Sequence, residues 1–182
     1  MHRIPRLPLV FALLATFALS GCREAAVRYN TRYVSLQRQE MPRTLPVPVD
    51  GVTPSQLRDT WGQARYGGRR HQGIDILAPR NTPIRSVTEG VIESKGMRGL
   101  GGQVVTILGP GGYRHYYAHL EDFGPQAEGD WVAEGEIIGT VGNSGNAAVS
   151  ATHLHYGIYN PSRKAVNPYP YLRGEPERRA AK

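Results

Sequence analysis

Thr152-His153-Leu154-His155-Tyr156 continues through Gly157-Ile158-Tyr159 until Asn160-Pro161 breaks the run. The β-branched and aromatic residues suit a strand, and the Asn-Pro pair ends it. Side chains on a strand alternate between faces, so His153 and His155 point the same way, about 6.5–7 Å apart. Two imidazoles so placed can act as a metal ligand and a base beside it. The same pattern also fits two polar residues on the wet face of a half-buried strand. Partners elsewhere in the chain decide between these readings.

Upstream, short apolar runs alternate with turn residues. Ile74-Asp75-Ile76 starts a strand after Gly73, and Ile84 to Val87 and Gly90 to Ser94 follow. Gly99 to Gly102 turns the chain into Gln103 to Leu108, and Gly109-Pro110-Gly111-Gly112 turns it again into Tyr113 to Leu120. Glu136 to Val141 is a further strand, and a polar loop, Gly142 to Ser150, leads to the histidine pair. Short strands at 8–12-residue spacing predict a mainly β fold, a small antiparallel sandwich or barrel. With 22 Gly and 14 Pro in 182 residues, the chain suits one turn-dense domain with appendages.

The ends differ from this middle. Arg3 and Arg6 followed by the apolar run Leu7 to Leu19 read as a signal peptide over residues 1–21, too short for a transmembrane helix. Residues 22–49, with five Arg, two Glu and a proline-punctuated end, read as a tether. The stretch Val27 to Gln39 could form a short helix, without a strong apolar stripe. The domain is placed at 50–172, and 173–182 reads as a disordered basic tail. Between 50 and 172 there are eleven basic and eleven acidic residues, so composition gives no support to nucleic-acid binding. The basic ends could rest on anionic lipid or polymer, or simply stay solvated.

One cysteine excludes an intrachain disulfide and a cysteine-rich zinc site. Of six histidines, five lie between His71 and His155. His71 and Asp75, four apart around Gly73, complete a His/Asp set with His153 and His155. Two histidines and one carboxylate with a position left open is a ligand set used by catalytic zinc sites.

Three motifs, His71-Gln72-Gly73-Ile74-Asp75, Tyr117-Ala118-His119-Leu120 and His153-Leu154-His155, resemble those of the lysostaphin-type (LytM-like) zinc metallopeptidases. Glu134 to Gly139 and Gly142 to Asn146 resemble the same family's following turn, strand and loop, so the likeness covers roughly 60–160. It implies Zn²⁺ held by His71, Asp75 and His155, with His153 as general base and His119 orienting water or stabilising the oxyanion. It also implies a groove over one sheet and hydrolysis of peptide bonds in peptidoglycan stem peptides. The lead-in Ser150-Ala151-Thr152 departs from the Thr-Gly-Pro or Thr-Pro-Pro of many members, which bears on the cleft's shape. Tyr66 resembles a family tyrosine that donates to the transition state, one residue out of register. His115, four residues before His119 on what reads as one strand, lies on the same face about 13 Å away and is structural or rim-lining.

Leu19-Ser20-Gly21-Cys22 resembles the bacterial lipobox. That implies lipidation at Cys22 and anchoring to a membrane. Arg23, where an aspartate would signal retention at the inner membrane, points to the outer membrane facing the periplasm. The chain is expected to act as a monomer. Two rival readings remain: a non-enzymatic regulator of cell-wall amidases, and a peptidoglycan-binding module.

Overall fold

The structure is a computed structural model that describes residues 31–175; the stretch read as a signal peptide, Cys22 and the end of the tail lie outside the described residues. Residues 31–38 are helical, within the stretch where the sequence allows a short helix. The folded domain is mainly β, and its strand pairs are all antiparallel.

Among the described residues, ten strands make two sheets. In chain order they are β1 (Ile74–Leu77), β2 (Pro83–Arg85), β3 (Gly90–Arg98), β4 (Gly102–Leu108) and β5 (Arg114–Ala118). Then come β6 (Leu120–Phe123), β7 (Trp131–Val132), β8 (Ile137–Val141), β9 (His153–Tyr159) and β10 (Ala165–Val166). The large sheet has the order β1-β9-β5-β4-β3-β7, with β10 beside β9; the small sheet is β2-β8-β6. Period-two alternation explains how they pack. Ile74 and Ile76 of β1, Leu154, Tyr156 and Ile158 of β9 and Tyr117 of β5 all point inward and are buried. They meet Ile84, Leu120, Ile138 and Val141 of the small sheet in one apolar core. The opposite face of β1, β9 and β5 is left for other work.

Two boundaries differ from the sequence reading. Leu45 and Val49, assigned to the tether, are buried in that core. The Leu45 N–H donates to the Tyr171 carbonyl, and Arg85 N–H donates to the Pro48 carbonyl. The prolines there hold an extended segment against β2 rather than a free linker, so the packed domain begins before Asp50. At the other end, Arg173 belongs to the short helix Tyr169–Arg173, which Gly174 ends in the left-handed conformation (φ 71°).

His115 also corrects an expectation. β5 ends at Ala118, and His119 has φ 66°, so strand alternation does not carry from one histidine to the other. His115 points into the core, fully buried, with Nδ1 2.8 Å from the Tyr156 hydroxyl. It is structural and does not line the rim. Its Nε2 has no hydrogen-bond partner among the described residues. Burial therefore pushes its pKa down to about 3.

A depressed histidine makes the fold acid-sensitive. Below pH about 6.5 the unfolded chain takes a proton that folded His115 refuses until pH about 3. Stability due to this group is therefore lost as pH falls through that window. Denaturant unfolding of wild type and His115→Gln between pH 7 and 4 is expected to show a shallower loss in the variant. The slopes should differ by up to one proton, about 1.4 kcal/mol per pH unit. Identical slopes would show that His115 carries no such load.

Candidate metal centre

The outer face of the large sheet is built by register. Asp75 of β1 stands opposite His155 of β9, and Ala118 of β5 stands opposite His155 on its other side. Leu77 stands opposite His153 in the same way. Directly paired residues share a face, so Asp75, His155, Ala118, Leu77 and His153 all look outward together. His71, just before β1, joins them from a loop held by Gln63, whose carbonyl accepts the His71 N–H at 2.9 Å.

Three donor atoms converge there. His71 Nε2 lies 2.8 Å from His155 Nδ1 and 3.1 Å from Asp75 Oδ1, and His155 Nδ1 lies 3.1 Å from the same Oδ1. Thr60 sets the tautomer of His71. Its carbonyl, which can only accept, sits 2.7 Å from Nδ1, so the neutral ring keeps its proton there and turns a lone pair inward from Nε2. The Thr60 hydroxyl also accepts the Asp75 N–H at 3.0 Å, tying both residues to one point. Arg65 takes the other carboxylate oxygen of Asp75, Oδ2, at 2.5 Å and leaves Oδ1 for the cluster. Burial raises the Asp75 pKa, but the adjacent His155 and His71 rings outweigh it and hold the carboxyl well below the usual carboxylate range.

The donor set fits a divalent cation. Three lone-pair atoms facing one another repel unless a positive charge lies between them. Two ligands of one tetrahedral zinc, with bonds of about 2.0–2.1 Å, lie about 3.3–3.4 Å apart, close to the separations here. Gly73 makes the approach possible. A Cβ there would lie 2.7 Å from His155 Cε1 and 2.5 Å from the Tyr156 carbonyl oxygen.

His119 and His153 flank the cluster without belonging to it. His119 Nδ1 lies 2.8 Å from the Ser144 carbonyl, and His153 Nδ1 lies 2.8 Å from the Ala151 carbonyl. Each ring therefore donates to backbone from one side and turns Nε2 away from that bond. Their ring centroids are 5.0 Å apart, and His153 Nε2 lies 3.8 Å from Asp75 Oδ1. Burial pushes the His119 pKa down to about 4, with the neighbouring imidazoles adding to the effect. Neutral His119 is thus a ring with a usable nitrogen facing the donors.

These residues form the floor of a cleft of about 710 Å³. One wall carries Arg65, Arg69 and Arg70; the other carries Leu100, Gly101, Asn146 and Ala147. Ser150 and Ala151, where the lead-in departs from the common pattern, line the cleft. The second wall is pinned where Gly102 and Gly145 meet back to back. A Cβ on either would come within 2.4 Å of the other's backbone nitrogen. Ser144 fastens the same point, its hydroxyl accepting from Gln103 N–H and donating to the Leu120 carbonyl. Tyr66 is 95% exposed and does not line the cleft, so the structure does not bring it to the donors.

Residues 69–168 match the model of peptidase family M23. The chain belongs to that family. Among M23-related proteins, it is 40% identical over 139 residues to the L-Ala–D-Glu endopeptidase of Bacillus subtilis, which covers 70% of this chain and 42% of that protein. It is 47% identical over 88 residues to the DD-carboxypeptidase/endopeptidase Mpg of Neisseria meningitidis, 48% of this chain and 20% of that one. The chain thus spans less than half the length of either. The catalytic domain of lysostaphin from Staphylococcus simulans superposes with a TM-score of 0.58 at 28% identity, over 66% of this chain and 95% of that domain. The M23 fold, a mainly β domain with antiparallel sheets, is the one expected from the sequence.

The structure brings together His71, Asp75, His153, His155 and His119, as the motifs suggest. Arg65 and Thr60 escaped sequence reasoning, because nothing in their neighbourhood marks them as partners of Asp75. Tyr116 is a further addition, its ring centroid 6.0 Å from that of His155 at a near-perpendicular 77°.

Substitution tests the donor set. His71→Ala, Asp75→Ala and His155→Ala should each remove most bound zinc, whereas His115→Ala should keep it. Gly73→Ala should also weaken zinc retention, because the added methyl pushes on His155. Metal content after dialysis, measured on each folded variant, checks this; full zinc in the three donor variants would overturn the assignment.

Proposed function

We propose that this chain is a zinc-dependent endopeptidase that hydrolyses peptide bonds in peptidoglycan. The observation that carries the reading is the convergence of His71, Asp75 and His155 with two further histidines beside them in an open cleft. The names of the Bacillus, Neisseria and Staphylococcus relatives support it: each is an endopeptidase or an antimicrobial peptidase. Those names differ in the bond they specify.

His71, Asp75 and His155 would hold the zinc ion. Bound there, zinc supplies Lewis acidity, polarising a scissile carbonyl and making water a nucleophile near neutral pH. His153 is the general base in this reading. Its Nδ1–H is committed to the Ala151 carbonyl, so Nε2 is available to take a proton from attacking water and return it to the leaving amine. His119, fixed through Nδ1 by Ser144, offers Nε2 to orient water or to stabilise the oxyanion. Arg65 occupies Asp75 Oδ2 and so fixes how the carboxylate is turned, and the cleft walls hold the peptide across the donors. Peptide-bond cleavage consumes one water and leaves a carboxylate and an amine.

The lipobox resemblance at Leu19 to Cys22 supports a lipid anchor, with the domain held at the envelope, on the outer-membrane side by the reading of Arg23. The complete donor set favours an enzyme over a regulator or a passive wall-binding module.

Activity on purified sacculi tests the enzyme. His153→Ala should keep its zinc and fold but lose about 10²–10⁴-fold in rate, equivalent to roughly 3–5.5 kcal/mol of barrier. His119→Ala should keep zinc and lose about 10²–10³-fold. Zinc content and released peptides are measured side by side. A His153→Ala protein without zinc, or one that cuts at the wild-type rate, means the roles are wrong; a wild type that releases nothing favours the regulator.

The anchor is tested separately. Cys22→Ser should move the protein from the detergent phase to the aqueous phase on phase partitioning. Continued detergent partitioning of that variant removes the lipid assignment.

A further inference from the structure

Beside the cleft lies a second depression of about 570 Å³, lined by Trp61, Gly62, Arg70, His71, Gln72, Arg163, Lys164 and Ala165. Arg70, His71 and Gln72 line both, so the two adjoin along these residues and together make a groove beside the donor cluster.

The charges along it are one-sided. Arg65, Arg69 and Arg70 line the cleft, and Arg163 and Lys164 continue the series beyond Arg70. Among the described residues, Asp75 is the only acidic one in either lining, and its carboxylate is committed to Arg65 and the two histidines. Arg69 and Arg70 give one bond each to backbone carbonyls, of Tyr66 and Gly62. Among the described residues, no carboxylate pairs with Arg69, Arg70, Arg163 or Lys164. Yet residues 50–172 carry as many acids as bases. The positive charge of the groove is therefore a local concentration and not a sample of a basic surface.

The outer pair is also preorganised. Arg163 and Lys164 sit in the turn between β9 and β10. Asn160 closes that turn: its carbonyl accepts from Arg163 N–H at 2.8 Å, its N–H donates to the Lys164 carbonyl at 2.9 Å, and its side-chain oxygen accepts from Lys164 N–H at 2.9 Å. Arg163 is held at φ 59°. Both side chains thus project from a fixed backbone continuous with the strand that carries His153 and His155.

We propose that this groove is a carboxylate-recognition subsite: Arg70, Arg163 and Lys164 bind free carboxylates of the peptide substrate on the Trp61 side of the donor cluster. The inference rests on the peptidase reading and names the substrate feature it selects, a stem peptide whose carboxylates are free and not amidated. Guanidinium groups pair with carboxylates through two parallel hydrogen bonds, and a primary amide offers no negative charge to them. The contacts lie away from the scissile bond and are made equally before and during reaction, so they act on KM rather than kcat.

The test uses two soluble cross-linked stem peptides of the same sequence, one with free carboxylates and one amidated. Wild type should favour the free form by about tenfold in kcat/KM, through KM, and the preference should shrink as salt rises. The double variant Arg163→Gln/Lys164→Gln should lose that preference, and Arg163→Lys should retain part of it. Equal turnover of the two peptides by wild type, or a preference that survives in the double variant, overturns the proposal. If wild type cuts neither peptide, the peptidase reading falls on its own. Calorimetric titration of the same two peptides then decides the subsite: tighter binding of the free form that the double variant loses supports it, and equal affinity overturns it.

Discussion

Asp75 faces His155 across one rung of an antiparallel ladder, and the site depends on that rung. Because side chains alternate, slipping β1 by one residue would turn Asp75 into the core and bring Ile74 or Ile76 out. The cost of exposing those isoleucines and burying an unpaired carboxylate protects the register. The same core that stabilises the domain therefore aligns the donors, and no separate device is needed to hold Asp75 beside His155. Ala118, the third residue in that row, is small enough to leave room above the pair.

Around this rung, backbone groups do most of the positioning. Thr60, Ser144 and Ala151 each offer a carbonyl to one imidazole Nδ1, so His71, His119 and His153 all present Nε2 to the cleft. His155 alone turns Nδ1 inward, and it is the histidine that stands within the sheet, next to the close backbone of Gly73. Four imidazoles of one chemistry are thus sorted by what lies behind them. The guanidinium of Arg65 completes the arrangement by occupying the carboxylate oxygen that the histidines do not use.

The sheet-borne part of this was legible because it obeys a period of two. His153 and His155, Ile74 to Ile76 and the inward residues of β9 could all be placed from alternation. What escaped is what alternation cannot carry. His119 breaks the ladder at a positive φ, so the expectation that His115 shares its face fails, and His115 turns out to be a core residue bonded to Tyr156. Arg65 and Thr60 meet Asp75 through a loop whose path depends on contacts distant in sequence. Leu45 and Val49 were hidden by their prolines. Proline-rich composition suggests a linker, but an extended segment without regular hydrogen bonds can still lie flat on a sheet and bury alternate side chains. The short β7 and β10 were too brief to leave a pattern.

The meeting of Gly102 and Gly145 has a consequence for how such a cleft can diversify. Two chain segments touch there with no side chain between them, so the wall behaves as though riveted at its base. Changes near the rivet propagate into His119 through Ser144 and are poorly tolerated. Beyond it, from Ala148 to Ser150, the loop has a free edge, with Val149 almost wholly in solvent. Length and composition at that edge can drift without disturbing the donors. Selection can therefore reshape what the cleft admits while leaving untouched what it does.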